Sequence, residues 1–435
     1  MIRRKVKKSV ALVVELNHNH GKNFNRAVYI LSTTVWRTEA EKKGNRVKTH
    51  SLQADSFSTQ QPNWKNNSQL MKVINWLRSQ TGLLDSSEII SFRQEMGRIY
   101  QEEGFVLQAG DCVEPFSEFD HESLATKISF IGEMANELAA GRRGAVIQIG
   151  RIAGQFGKPR TNNYENVDGL QLPVFRGEIV NGHEPTQLAR KPNPWRMCRA
   201  YSLSKKAIQH LSGARAHGHT VWTSHEALIL DYEQALARPV IDHGSEVLTS
   251  THMPWVGERT ADLRGPHISL LQNVSNTVGV KVGPNMAADA LDSICETLNP
   301  GRENGRLVLI FRFGVNKIKE SASRLLRMIR HRQHNVIAVV DPMHGNTRRS
   351  YNGQKTRALE DIEYEVREFI RIAHANSIHP GGLHLETTPF DVTECVGLGV
   401  SEEDLLRDSY TTLCDPRLNA EQALHVVDSF RDALS

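Results

Sequence analysis

Cysteine is sparse in this chain and badly spaced for cross-linking. The five residues, Cys112, Cys198, Cys295, Cys395 and Cys414, are scattered through 435 positions, odd in number and without a CxxC pair. That argues against a disulfide framework and for a reducing compartment. Long apolar runs are also lacking: none approaches the roughly 18 residues that span a bilayer. The opening MIRRKVKKSVALVVEL starts like a signal peptide, but its apolar core is short, Glu15 interrupts it and no small-residue cleavage site follows. The expected address is cytoplasmic, with no membrane association. Acidic residues are scarce only at the amino end, where residues 1–50 hold 12 Lys/Arg against 3 Asp/Glu, leaving 41 against 46 for the rest. The formal net charge of +4 therefore reflects a basic extension on a mildly acidic body, and no nucleic-acid partner is expected. Residues 1–54, rich in Asn, Lys, Thr and His and without periodicity, read as a disordered extension, with an organelle-targeting peptide as the sharper alternative. Residues 55–435 read as a single catalytic domain.

What the chain does have is a series of eight short apolar runs, each ending at or near a charged or metal-competent side chain. They are FVLQAGDC to Cys112, AVIQIGR to Arg151, VWTSHE to Glu226, WVGER to Arg259, VGVKVG around Lys281, LVLIFR to Arg312, VIAVVDPMH to His344 and GLHLE to Glu386. Helical periodicity separates them at 121–141, 204–214, 225–238, 286–298, 316–331 and 356–376. Buried strands alternating with helices demand parallel pairing. The predicted fold is therefore α/β, a (β/α)8 barrel, whose active site is built at the carboxyl ends of its strands. Two helical runs, 68–79 and 86–103, form an amino-terminal extension expected to pack beside the barrel. A long insertion after the second strand, from Ile152 to about Ser204, looks poor in regular structure and lid-like.

The candidate site residues form two sets. Cys112, His344, Glu386 and Asp415 mix a thiolate, an imidazole and two carboxylates, a donor set suited to Mn, Co, Fe or Zn rather than Mg or Ca. The blander readings are a small buried hydrophobe for Cys112 and a turn cap before proline for Asp415. The second set is cationic: Arg151, Lys158, Arg160, Arg259, Lys281 and Arg312. An unpaired ammonium or guanidinium is costly to bury, so Lys281 and Arg312 face either barrel carboxylates or anionic ligands. Two phosphates and a carboxylate would neutralise such a lining, with bidentate arginines fixing their orientation. Glu226 and Glu258 are expected to orient these cations. Gly283 and Gly314 are expected to let backbone amides approach a phosphate. His384 reads as a satisfied core histidine.

The blocks GRIAGQFGKPR, PVFRGE, TSHEALILDYEQAL, GERT, GVKVGP, DPMHGNT, DVTEC and YTTLCDPRLN resemble those of the class II (plant-type) 3-deoxy-D-arabino-heptulosonate 7-phosphate (DAHP) synthases, in order, from Gln60 to Gln422. The resemblance implies condensation of phosphoenolpyruvate with erythrose 4-phosphate, the first step of the shikimate pathway toward chorismate and the aromatic amino acids. It places Cys112, His344, Glu386 and Asp415 on the family's metal ligands, with manganese or cobalt the expected ion and zinc or iron as alternatives. Arg151, Glu258, Arg259, Lys281 and Arg312 fall on its phosphoenolpyruvate contacts, with Lys281 the candidate for proton delivery. Lys158 and Thr161 fall near its second phosphate site. A homo-oligomer, dimer or tetramer, and a chorismate mutase partner are further implications. Departures are QAGDC for QGGDC, Asn276-Thr277 for an NP pair and Thr388-Pro389 for a TG pair. The short segment before the first strand resembles that of members serving secondary metabolism.

Overall fold

Valine, isoleucine and leucine dominate the eight runs because a parallel strand is covered on both faces and has no side left for water. The computed structural model describes residues 60–435 except 143, 168, 217–219 and 241–244, so the extension predicted over 1–54 lies outside the described residues. The strands are β1 (Phe105–Gly110), β2 (Val146–Arg151), β3 (Trp222–Glu226), β4 (Met253–Val256), β5 (Val278–Val282), β6 (Leu307–Phe311), β7 (Ile337–Val340) and β8 (Pro380–Glu386). Each pairs in parallel with its sequence neighbours, and β8 returns to β1 to close the barrel. The (β/α)8 architecture is the one the sequence predicts.

Alternation along each strand divides the core into two layers. Leu307, Leu309 and Phe311 of β6 pack outward under the helices, whereas Val308 and Ile310 belong with Val106, Ile147, Ile149, Trp222, Met253, Ile337 and Val339 in a separate inner cluster. The helices are α1 (Asn67–Ser79), α2 (Ser86–Gln101), α3 (His121–Ala139), α4 (Trp195–Ala216), α5 (Leu230–Ala235), α6 (Pro266–Gln272), α7 (Ala288–Leu298), α8 (Ile318–Arg332), α9 (Leu359–Ala375) and α10 (Ala420–Ala433). α8 shows why they form: Ile318, Ala322, Leu325, Leu326 and Ile329 recur at helical spacing and are all buried, while Arg330 and Arg332 sit in its last turn. Burying each such Leu or Ile contributes roughly 1.5–3 kcal/mol.

Four expectations are corrected. α2 does not merely lie beside the barrel: its Phe92, Met96 and Ile99 join the inner cluster and close the floor, leaving α1 against α4 and α5. The insertion after β2 is more regular than its composition suggests. It carries a hairpin (Tyr164–Val167 with Leu170–Pro173), and α4 begins at Trp195 rather than near Ser204. The helix expected over 225–238 shrinks to α5, because Glu226 is still in β3 and Ala237–Pro239 pairs with Glu246–Leu248. α6 and α10 were not anticipated; α10 opens with a capping box between Asn419 and Gln422. Among the described residues no helix is long and apolar enough to cross a membrane.

Candidate active site at the carboxyl ends of the strands

Above its apolar floor the barrel interior turns polar. Gln108 of β1 donates to Ser224 of β3 (2.8 Å), and its amide oxygen faces His384 Nδ1 of β8 (2.7 Å). His384 Nε2 lies 2.8 Å from an Arg151 nitrogen, so this histidine is satisfied in the core, as its position in β8 suggested. Higher still is a cavity of about 470 Å³ whose lining includes Arg151, Lys158, Glu226, Glu258, Arg259, Lys281, Arg312, His344 and Asp415. A second cavity of about 560 Å³ adjoins it, lined by Arg160, Thr161, Arg349 and Lys355; the two share Lys158, Pro159, Arg259 and Asp415. Every predicted cation thus borders one of two connected spaces. Cys112 and Glu386 are buried behind their wall.

The shared wall holds the metal-competent set. Donor atoms of Cys112, Glu386 and Asp415 lie within 4.8 Å of one another. The Lys158 ammonium stands among them, 2.9 Å from Cys112 Sγ, 2.6 Å from Asp415 Oδ2 and 3.8 Å from Glu386 Oε1. An ammonium in that position shows that the donors converge on a point suited to a cation. Of the four predicted ligands His344 stands outside that group: it reaches the same Glu386 Oε1 through Nε2 at 2.9 Å, but its own cluster is with Asp341 and His384. Burial opposes ionisation of Glu386, yet His344, Lys158 and Arg357 hold its carboxyl well below the usual range. Burial likewise opposes the charge on Lys158, but Asp415, Cys112 and Glu386 lift its ammonium well above the ordinary value. The Cys112 thiol is pushed up by burial and by its neighbours Cys414 and Glu386.

On the other wall Lys281 donates to Asp341 Oδ2 (2.9 Å), lies 3.2 Å from His344 Nδ1 and sits 4.8 Å from the centre of the Trp255 ring. Burial pushes Lys281 down to about 8 despite Asp341. Arg312 pairs with Glu258 (2.6 Å), and Arg259 donates to Thr161 (2.8 Å), so Glu258 does orient a cation. Glu226 Oε1, Trp255 Nε1 and Arg312 Nε are buried without a hydrogen-bond partner, and all three residues line the first cavity. Buried polar atoms are otherwise almost always satisfied. A polar ligand in this cavity could complete them.

Sequence reasoning missed several members. Asp341 carried a signal, standing beside His344 in DPMH. Arg357, which donates to Glu386 Oε2 (2.7 Å), lies on no strand, and Lys355, which binds Asp415 (2.8 Å), lies on a two-residue strand (Lys355–Thr356) outside the barrel; neither ends an apolar run. Gly283 and Gly314, expected to admit a phosphate, have a packing reason of their own. A Cβ at Gly283 would lie 2.3 Å from the Glu258 carboxylate, and one at Gly314 (φ +78°) would lie 2.6 Å from the Gly345 carbonyl oxygen. Packing alone therefore demands glycine at both positions. A third group, Asp292, Glu296 and His334, lies elsewhere. Its histidine spans the two carboxylates with opposite ring nitrogens, and Arg332 and Arg302 engage them as well, which makes it an ion-pair network.

A family described as the class-II DAHP synthetase family matches residues 48–220 and 212–430. A probable phospho-2-dehydro-3-deoxyheptonate aldolase of Pseudomonas fluorescens is 38% identical over 382 residues, covering 86% of this chain and 94% of its own. The phospho-2-dehydro-3-deoxyheptonate aldolase of Streptomyces coelicolor is 35% identical, with 87% and 96% covered, and that of Neurospora crassa 32%, with 85% and 92% covered. A solved phospho-2-dehydro-3-deoxyheptonate aldolase from Francisella tularensis SCHU S4 superposes with a TM-score of 0.52 over 84% of this chain and 96% of that one; at 14% identity the likeness is one of fold. With a converging donor set between two cation-lined cavities, and with relatives above 30% identity over most of its length, the chain belongs to the class-II DAHP synthetase family.

Proposed function

We propose that this protein condenses phosphoenolpyruvate with D-erythrose 4-phosphate and water, giving 3-deoxy-D-arabino-heptulosonate 7-phosphate and phosphate in a metal-dependent aldol-type reaction. The observation that carries this reading is the arrangement of two joined, cation-lined cavities with Cys112, Glu386 and Asp415 converging at their common wall. Two anionic substrates need two such spaces, and their reacting carbons must meet at the boundary.

Arg151, Lys281, Arg312 and Arg259 would hold phosphoenolpyruvate in the first cavity, with Glu258 fixing the Arg312 guanidinium. Lys158 and Thr161 would hold the phosphate of the second substrate. Cys112, His344, Glu386 and Asp415 would hold a divalent ion, manganese or cobalt before zinc or iron, which supplies Lewis-acid polarisation of the aldehyde. Lys158 would have to leave the donor set when the ion enters, and the second cavity gives its ammonium an anionic phosphate to meet. Positioning two reactants in attack geometry is worth roughly 7–11 kcal/mol. As C3 of phosphoenolpyruvate attacks the aldehyde carbon, the aldehyde oxygen takes up a proton, water adds at C2 with loss of its own proton, and the resulting phosphohemiketal breaks its C2–O bond to phosphate, leaving the C2 ketone. Lys281 would deliver the proton to that former aldehyde oxygen, a task suited to an ammonium that burial has brought down to about 8.

The test follows loss of phosphoenolpyruvate absorbance with purified protein, both substrates and manganese, with and without chelator. Turnover that stops with chelator and returns with metal is expected. Consumption only with longer aldoses, or undiminished turnover after chelation, would overturn the reading. A homo-oligomer and a chorismate mutase partner belong to the same proposal, checked by light scattering of the chain alone and with the mutase.

A further inference from the structure

The face of α9 that packs toward the barrel is apolar, with Ile362, Val366, Phe369 and Ala373 fully buried, and in its midst lies an equally buried glutamate, Glu365. A helix needing only to pack would carry another aliphatic residue there, because a carboxylate is costly to bury. Its contacts explain it. Oε1 accepts the backbone N–H groups of Phe313 (2.7 Å) and Gly314 (3.0 Å), and Oε2 accepts the side-chain amide of Asn346 (2.7 Å). Asn346 in turn accepts the N–H of Val315 (2.9 Å) and donates to the Pro342 carbonyl (2.8 Å). One carboxylate therefore joins two loops: the one that starts at Arg312 after β6 and the one that carries His344 after β7. The joined loops meet again at the site itself, where Arg312 donates to the His344 carbonyl at 3.0 Å.

The same device recurs after β2. Buried Glu114 accepts the N–H groups of Ala153 (3.0 Å), Gly154 (2.8 Å) and Gln155 (2.8 Å), the residues that follow Arg151 and Ile152, and the Gln155 side chain then accepts the N–H of Glu226 (3.0 Å). Two glutamates from outside the cavity thus each collect a run of loop amides directly after a strand that delivers an arginine.

We infer that Glu365 is a positioning residue for the site: by clamping the loops after β6 and β7 together it sets Arg312 and His344 relative to each other, so that the anion contact and the imidazole form one rigid unit. Glu114 does the corresponding work for Arg151. The inference rests on the reading of Arg312 as a phosphoenolpyruvate contact.

Glu365→Gln is nearly isosteric. Its amide oxygen can still take the two N–H groups, but its NH2 must face the NH2 of Asn346, so it breaks the tie that runs through Glu365 and leaves the Val315–Asn346 and Arg312–His344 bonds between the loops to hold alone. By amide hydrogen exchange, the segments covering 313–315 and 342–346 should both exchange about tenfold faster than in the wild type, together, while 153–155 stays unchanged. Glu114→Gln should give the opposite pattern. In steady-state kinetics Glu365→Gln should raise KM for phosphoenolpyruvate about tenfold, with kcat changed much less. Unchanged exchange in either loop, or a folded Glu365→Gln protein with wild-type KM, would overturn the inference. Absence of phosphoenolpyruvate turnover in the wild type would instead overturn the functional reading, and the exchange result would still decide whether the clamp exists.

Discussion

At the scale of single residues, this protein places charges where only their partners make them tolerable. Arg417 donates to Asp111 (2.7 Å) and to both oxygens of Glu394 (3.1 and 2.8 Å), and Asp111 also accepts from Lys127 (2.7 Å), all buried. Removing Arg417 leaves Asp111 with Lys127 but takes from buried Glu394 its ion-pair partner, in a medium that solvates a carboxylate poorly. Arg417→Met should therefore cost about 3–5 kcal/mol in urea unfolding; a loss below about 1 kcal/mol would mean that water reaches these carboxylates. Cys112 poses the opposite case. Its sulfur is small and packs with Val113 and Phe175, so Cys112→Ala should fold with near-normal circular dichroism. The same substitution should weaken manganese binding by at least about a hundredfold in calorimetry if the thiolate is a ligand. An unchanged affinity would remove Cys112 from the proposed set.

At the scale of elements, α2 is both a floor and a pH-sensitive anchor. Its Glu88 receives Arg215 (2.7 Å) from α4 and lies 2.9 Å from His252 Nε2 beside β4. Burial alone would raise the Glu88 pKa, but His252 and Arg215 outweigh it and bring the carboxyl from 4.5 down to about 2. A depressed folded value means the contribution is complete above 4.5, the ordinary value, and fades as pH falls through about 2. Wild-type stability should therefore fall across that window, and Glu88→Gln should flatten this acid limb in urea midpoints measured between those values. Parallel curves for the two proteins would assign acid sensitivity to other groups.

The whole molecule depends on a seam. The barrel closes only because β8, near the end of the chain, pairs with β1, near its start, and at Gly382 the two come unusually close. Gly382 has φ +136°, and a Cβ there would lie 1.9 Å from the Val106 carbonyl oxygen. Gly382→Ala is expected to abolish cooperative unfolding. Gly213→Ala, in α4 where an added methyl meets nothing within 4 Å among the described residues, should gain roughly 0.5–1 kcal/mol. A well-folded Gly382→Ala protein would show that the seam can widen.

What the sequence determined by itself were the elements and the chemistry carried at their ends. Buried parallel strands must be apolar throughout, so LVLIF or IAVV reads without ambiguity, and a charged residue directly after such a run, Arg312 or Glu386, is conspicuous. Shorter or mixed segments were less legible: α5 was overdrawn because TSHEALILDYEQAL satisfies strand and helix patterns in succession. Only the tertiary structure decided the partners. Cys112 meets Glu386 because β1 and β8 are neighbours across the closure, with Gly110 opposite Glu386. Lys158 and Arg357 arrive at the same donors from loops and Lys355 from a two-residue strand outside the barrel, none of them at the end of an apolar run. Glu365 reads in sequence as one more acid on a helix and becomes a clamp only when two loops bring their amides to it. Local pattern follows from what each residue loses or gains with water; which distant groups share a buried charge is set by the closure of the chain upon itself.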